Sequence, residues 1–186
     1  MDEAKDIFFT HQTLAVLFSV TNKLQMQGDK YLKDLTIRQM LAIPAIIHAP
    51  DGKATINYIA KQLGTTKQNA KQIVDVLAKK NYVSIVPSEL DKRAVNVSVT
   101  PGSEASFKVC SERTDEFLAD VFRDFSTEDL EALWTLLNKL YRFDGAAQED
   151  SHERLKDYTG DDMLQHHQNY VKKRSENNKR RTENNE

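Results

Sequence analysis

Cysteine, long apolar runs and catalytic signatures are what this sequence most lacks. A single cysteine, Cys110, in 186 residues excludes an internal disulfide and suits a reducing compartment. No stretch approaches the roughly 20 apolar residues needed to cross a bilayer, so no membrane partner is expected. The opening Met1-Asp2-Glu3-Ala4-Lys5-Asp6 is acidic where a secretory signal is basic, and a cytoplasmic location is the expectation. No glycine-rich phosphate loop, nucleophile elbow or metal-ligand spacing is present, so neither an enzyme nor a cofactor or metal is expected. The adjacent His166 and His167 would diverge by about 100° on one helix and cannot easily share an ion. His11 falls on the apolar side of a helix and reads as an interface histidine. Cys110 also lies on an apolar helix side with no cationic cluster beside it in sequence, which favours a packed, inert thiol over a redox sensor.

What is present is charge, unevenly placed. Hydrophobic residues make up 39% and charged ones 29%, enough for a core with some length left solvated. From Lys53 to Arg93 eight bases (Lys53, Lys61, Lys67, Lys71, Lys79, Lys80, Lys92, Arg93) face three acids (Asp75, Glu89, Asp91). That segment carries +5, which leaves −7 for the rest of a chain whose total is −2. A basic island in an acidic chain is the footprint of a localised phosphate-binding face.

Residues 6–26 read as a helix whose middle is apolar nearly all round, the pattern of a helix buried between subunits. Thr36-Ile37-Arg38-Gln39 is a capping box that opens a second helix running to about His48, with a kink or break expected at Pro44. A third helix follows Thr55 and should close at Gly64. A fourth repeats apolar residues at Ala70, Ile73, Val74 and Leu77, and Thr65-x-x-Gln68 has the form of its capping box. After Asn81 the period changes to 2, giving strands around Val83–Val86 and Val95–Val99 joined by a charged tip at 87–93. Thr100-Pro101 looks like the cap and first turn of a long helix along Phe107, Cys110, Phe117, Val121, Phe122 and Phe125. Ser126 caps a last strong helix lined by Leu130, Leu133, Trp134, Leu137, Leu140 and Tyr141. Residues 145–186 are poor in large apolar groups and read as a tail, helical around 150–172 with a disordered tip.

Two short helices joined by a tight turn, then a helix-flanked hairpin, describe a winged helix-turn-helix. The fold class is mainly α with a small β-hairpin wing and long N- and C-terminal dimerisation helices. The expected units are 1–35 (dimerisation helix), 36–100 (winged helix-turn-helix), 101–144 (dimerisation helices) and 145–186 (tail). The fourth helix is the element to place in the major groove, with Thr65, Thr66, Lys67, Gln68, Asn69, Lys71 and Gln72 as candidate DNA contacts. Leu14, Leu17 and Phe18, with Leu133, Trp134 and Leu137, are the candidate dimer contacts. A winged helix used only for protein contacts competes with this reading, but the basic fourth helix argues against it.

The segments Leu63-Gly64-Thr65-Thr66-Lys67-Gln68-Asn69-Ala70 and Val74-Asp75-Val76-Leu77-Ala78-Lys79-Lys80-Asn81-Tyr82-Val83 resemble the recognition-helix region of MarR-type regulators. Asp91-Lys92-Arg93 with Thr100 seven residues on resembles that family's wing motif, with Val99 where leucine is usual. The resemblance spans roughly residues 6–143. It implies that Arg93, beside Lys92, enters the minor groove at the wing tip and that Asp91 orients its guanidinium. It also implies a homodimer on a pseudo-palindromic operator of double-stranded DNA, a repressor in expectation, released by a small-molecule effector. Pro44 and the tail after 145 depart from the family pattern.

Overall fold

The computed structural model describes residues 2–50, 54–87, 95–145 and 167–183. The chain begins with α1 (Glu3–Leu32), a 30-residue helix capped by Asp2, whose side chain accepts from the Lys5 amide. It is longer at both ends than the apolar pattern over 6–26 suggests, and at 1.5 Å per residue it spans about 45 Å. Of that length only Gly28 and Leu32 are buried. The last turn of α1 is where the helix meets the rest of the chain.

Helix α2 (Ile37–Ile47) opens on the Thr36 capping box: the Gln39 amide donates to Thr36 Oγ1 at 3.2 Å, and the Thr36 amide to Gln39 Oε1 at 3.1 Å. Pro44 does not break it; the helix is continuous to Ile47. Ala42, Ile43, Ala45 and Ile46 are buried on either side of the exposed proline. Core packing of these neighbours offsets the donor that proline removes.

Helices α3 (Ile56–Gln62) and α4 (Lys67–Lys79) are joined by a four-residue turn, 63–66. Thr55 caps α3, accepting from the Tyr58 amide at 3.2 Å. The helix closes as expected at Gly64, whose φ is +58°. There the Gly64 amide reaches Lys61 O and the Thr65 amide reaches Ala60 O, at 3.2 and 3.0 Å. Those two bonds satisfy the free carbonyls at the end of α3 and commit Thr65 to that helix. The cap of α4 is therefore Thr66, not Thr65: the Asn69 amide donates to Thr66 Oγ1 at 3.2 Å. Gln68, one residue out of register for this cap, takes no part in it. Asn81 repeats the same helix ending after α4 with φ +61°, the Asn81 and Tyr82 amides bonding Ala78 O and Leu77 O, both at 2.9 Å.

Strands β1 (Val83–Pro87) and β2 (Val95–Val99) pair antiparallel, with Val83 opposite Val99 and Ile85 opposite Val97. A third short stretch joins them. The Val97 amide donates to Ala54 O at 2.9 Å, and Thr55 bridges Asn96, so the start of α3 is stitched to the wing. Thr100 is not a helix cap. Its hydroxyl donates back to Asn81 O at 2.5 Å and its amide to Tyr82 O at 3.0 Å, closing the base of the hairpin. A short 3-10 turn, Pro101–Ser103, then leads into α5 (Glu104–Val121).

Leu32, Leu35, Ile43, Ile46, Ile59, Val74, Leu77, Val83, Val97 and Cys110 form one buried cluster that unites α1 to α5 with the hairpin. Burial pushes the Cys110 thiol above its usual range, with Asp34 adding to the shift and Arg113 and Lys80 opposing it. The buried thiol is thereby held in its protonated form.

Ser126 caps α6 (Thr127–Tyr141) through a second capping box with Asp129, at 3.1 and 2.9 Å. The Glu128 carboxyl is held below its ordinary range, first by its own backbone amide and then by the Ser126 hydroxyl.

The tail ends in a helix, α7 (Gln168–Glu183), where a disordered tip was expected. It docks on α5. His167 Nδ1 lies 2.8 Å from Oδ1 of the buried Asp115, and the Asn177 amide donates to Ala119 O at 3.2 Å. The Arg174 guanidinium donates to Phe122 O and Phe125 O. Of these, the Asn177 bond reaches a carbonyl in the last turn of α5 and the Arg174 bonds reach the turn that follows it, a long-range partnership that composition does not announce. Of the helix expected around 150–172, residues 150–166, His166 among them, lie outside the described residues, and Gln168 onward is helical.

Two substitutions test these local arguments. A Cβ on Gly28 would sit 2.2 Å from Ile37 Cγ1, inside the α1–α2 contact. Gly28→Ala should lower stability in urea by about 1–3 kcal/mol, the usual cost of overpacking. Thr66→Ala should cost about 1 kcal/mol through loss of the cap, while Gln68→Ala should change stability by less than about 0.5 kcal/mol. An equal effect of both would restore Gln68 to the cap.

Candidate nucleic-acid interface

The orientation of α4 follows from what it buries. Ala70, Ile73, Val74 and Leu77 turn one stripe into the core, so at 100° per residue Gln68, Gln72 and Lys79 face the opposite side. All three are exposed, as are Lys67 and Lys71. Gln68 and Gln72, four residues apart, place two amides on one helical face, each able to donate and accept at a base edge.

The other candidates are partly engaged within the protein. Thr66 Oγ1 caps the helix, and Thr65 Oγ1 accepts from Asn69 Nδ2 at 2.8 Å. Thr65, Thr66 and Asn69 thus form a polar knot that fixes the start of α4. Lys71 Nζ lies 2.7 Å from Asp75 Oδ2, with the side chains 64% and 40% exposed. Such an exposed pair is weakly held and leaves the ammonium free to exchange partners. The wing-tip residues Asp91, Lys92 and Arg93 lie outside the described residues; the strands that carry them, β1 and β2, are in place.

The candidate dimer contacts lie on the unburied lengths of α1 and α6. Leu14 and Phe18 are exposed and Leu17 is half-buried; Trp134 and Leu137 are exposed and Leu133 is half-buried. Phe18 and Trp134 keep 67% and 54% of their surface open, and no residue of α6 is buried. Further apolar groups accompany them, among them Ile7, Phe8, Phe9, Leu136 and Leu140. Two helices with this much open apolar surface are unusual on a monomer. His11 is exposed on the same helix.

One group of residues escaped the sequence reading. Arg113 on α5 and Lys80 at the end of α4 both converge on the connector between α1 and α2, at Leu32 and Asp34. Their separations of 46 to 81 residues left no local signal to find them. Among the described residues no three of His, Cys, Asp and Glu converge as a metal site, and no helix is long and apolar enough to cross a membrane.

Residues 33–94 match the MarR family model. A comparison with curated proteins found no match. Among solved structures, a MarR/EmrR family transcriptional regulator from Acinetobacter sp. ADP1 is 20% identical, with TM-score 0.63 over 72% of this chain and 94% of that one. A mutant MarR from E. coli in complex with operator DNA is 24% identical, with TM-score 0.60 over 68% and 91%. BpsR of Bordetella bronchiseptica, whose DNA binding is regulated by 6-hydroxynicotinic acid, is 17% identical, with TM-score 0.62 over 72% and 95%. These structures share the fold; the family match falls on the segment that holds α2, α3, α4 and β1. The chain carries a winged helix-turn-helix, and residues 33–94 of it are similar to the MarR family.

Proposed function

We propose that the protein is a transcription regulator that binds double-stranded DNA as a homodimer. The observation that carries this reading is the exposed face of α4, where Gln68 and Gln72 stand side by side with Lys67, Lys71 and Lys79 at their margins. On this reading α4 enters the major groove, its amides at base edges and its lysines at phosphates. Arg93 reaches from the wing into the adjacent minor groove, with Asp91 orienting it and Lys92 beside it. The structural relatives solved with DNA, E. coli MarR and S. aureus MepR, support the assignment through their shared fold.

The apolar lengths of α1 and α6 supply the dimer. A two-fold pair would bury Leu14, Phe18, Trp134 and Leu137 against their counterparts, and two recognition helices would meet a pseudo-palindrome. Repression is the outcome we infer, with release by a small molecule that favours a dimer of altered helix separation. Such an effector shifts the equilibrium only by its differential affinity for the two states. The regulation of BpsR by a small aromatic acid supports an effector here by analogy.

Three measurements test the reading. Light scattering at micromolar concentration should give twice the chain mass; a stable monomer contradicts it. Gln72→Ala should weaken binding to the preferred duplex by about 1–3 kcal/mol while leaving binding to unrelated duplexes nearly unchanged. Uniform weakening on all sequences would demote it to a phosphate contact. Arg93→Ala should leave the melting temperature in place, since a charge expected at a hairpin tip contributes roughly 0–1 kcal/mol. It should lower DNA affinity most where the flanks are A·T-rich, because the narrow groove there concentrates negative potential. Unchanged affinity at two salt concentrations would show that the wing does not touch DNA.

A further inference from the structure

The connector between α1 and α2 is four residues long, and three helices hold it. Lys33 adopts φ +61°, and its amide bonds Asp29 O at 3.3 Å. From α5, one Arg113 nitrogen donates to both Leu32 O, at 3.0 Å, and Asp34 Oδ2, at 3.1 Å. From the end of α4, Lys80 Nζ donates to Asp34 O. On the far side, Asp29 Oδ1 accepts the Ile37 amide at 2.7 Å and ties α1 to the first residue of α2. The Leu32 carbonyl is one that the end of α1 leaves without an intrahelical donor, so Arg113 also serves as its cap.

We propose that Arg113, Asp34 and Lys80 act as positioning residues, a clasp that sets the angle of α4 against the long helices α1 and α5. The inference rests on the DNA-binding reading above and names residues that reading does not use. Stability alone does not account for the bond from Arg113 to Asp34. The Asp34 side chain is 67% exposed, and such a pair contributes little to folding. What the clasp does supply is geometry. Its bonds reach one short connector from two elements, and one of those elements is the recognition helix. With 13 residues α4 is about 20 Å long. A tilt of about 5° pivoting at Lys80 would displace its far end, at Lys67 and Gln68, by roughly 1.7 Å, enough to break a base-edge hydrogen bond.

The neighbouring bonds point the same way. Tyr31, one residue before Leu32, donates to Asp120 Oδ2 at 2.8 Å, and its ring lies 5.3 Å from that of Phe117. The bond to the Asp120 carboxylate holds the phenol protonated above its ordinary range, with burial adding to the effect. The end of α1 is therefore fixed along α5 by Tyr31, while Arg113 and Lys80 extend that fixation to α4.

The test uses the full chain in two assays. In the first, affinity is measured for the preferred duplex and for one with a single base pair inserted between the half-sites, a shift of roughly 3.4 Å and 34°. Arg113→Met should reduce the penalty for the insertion by about tenfold, Lys80→Met should do so too, and Arg113→Lys should fall between Arg113→Met and the wild type. Melting temperature should stay within about 4 °C of wild type in Lys80→Met and fall by more than that in Arg113→Met, which also removes the Leu32 cap. Reading the ratio of two affinities removes any general phosphate contact by Lys80.

In the second assay, spin labels at Gln72 and Glu116, with Cys110 replaced by alanine, report the α4–α5 distance without DNA. A narrow distribution that broadens in Arg113→Met is expected. Equal widths, or an insertion penalty identical in all variants, would overturn the clasp. A wild type that prefers no duplex would instead overturn the DNA-binding reading, and the distance widths would still decide the clasp.

Discussion

Leu32, Ile59, Val74 and Leu77 are the largest side chains of the central cluster to lose essentially all contact with solvent. They come from the end of α1, from α3 and from α4, and their mutual burial is the constraint on which the other arrangements depend. Burying side chains of this size is worth roughly 1.5–3 kcal/mol each. That burial fixes which side of α4 faces inward and hence which side faces out. Once Val74 and Leu77 are in, Gln68 and Gln72 must be out. The polar outer face of α4 is a consequence of the core.

The same constraint divides α1 into two parts with different roles. Its last turn belongs to the winged domain through Gly28 and Leu32, while the preceding length is left with Phe8, Leu14 and Phe18 exposed. The connector after Leu32 is the joint between that buried end and α2. Arg113 and Lys80 meet at that joint, and Tyr31 fastens it to α5. A change of separation between the long helices would reach α4 through these polar bonds as well as through the shared apolar core. Polar bonds of this kind have alternative partners in water, whereas a close-packed core does not deform smoothly.

Features encoded within one turn of the chain were legible in the sequence. The capping boxes at Thr36 and Ser126, the close of α3 at Gly64, and the change from helix to strand period after Asn81 each involve residues within a few positions of one another. Errors arose where two local solutions compete. Thr65 and Thr66 each sit three residues before a polar side chain, and the choice falls to Thr66 because the Thr65 amide is already used to close α3. Thr100 has the sequence of a helix cap, but the hairpin base claims its hydroxyl. Pro44 breaks a helix in isolation and is tolerated here by burial on both sides. The docking of α7 and the convergence of Arg113 with Asp34 join residues about 50 to 80 apart, where periodicity carries no information.

The central claim is that one exposed helical face, presented twice by a symmetric pair, reads DNA. Selection of duplexes from a random library by the purified full chain tests it most directly. The account predicts enrichment of an inverted repeat whose half-sites lie about 10 base pairs, or a multiple of that, centre to centre. A library that emerges unenriched, or enriched only in a single unpaired half-site, would contradict it.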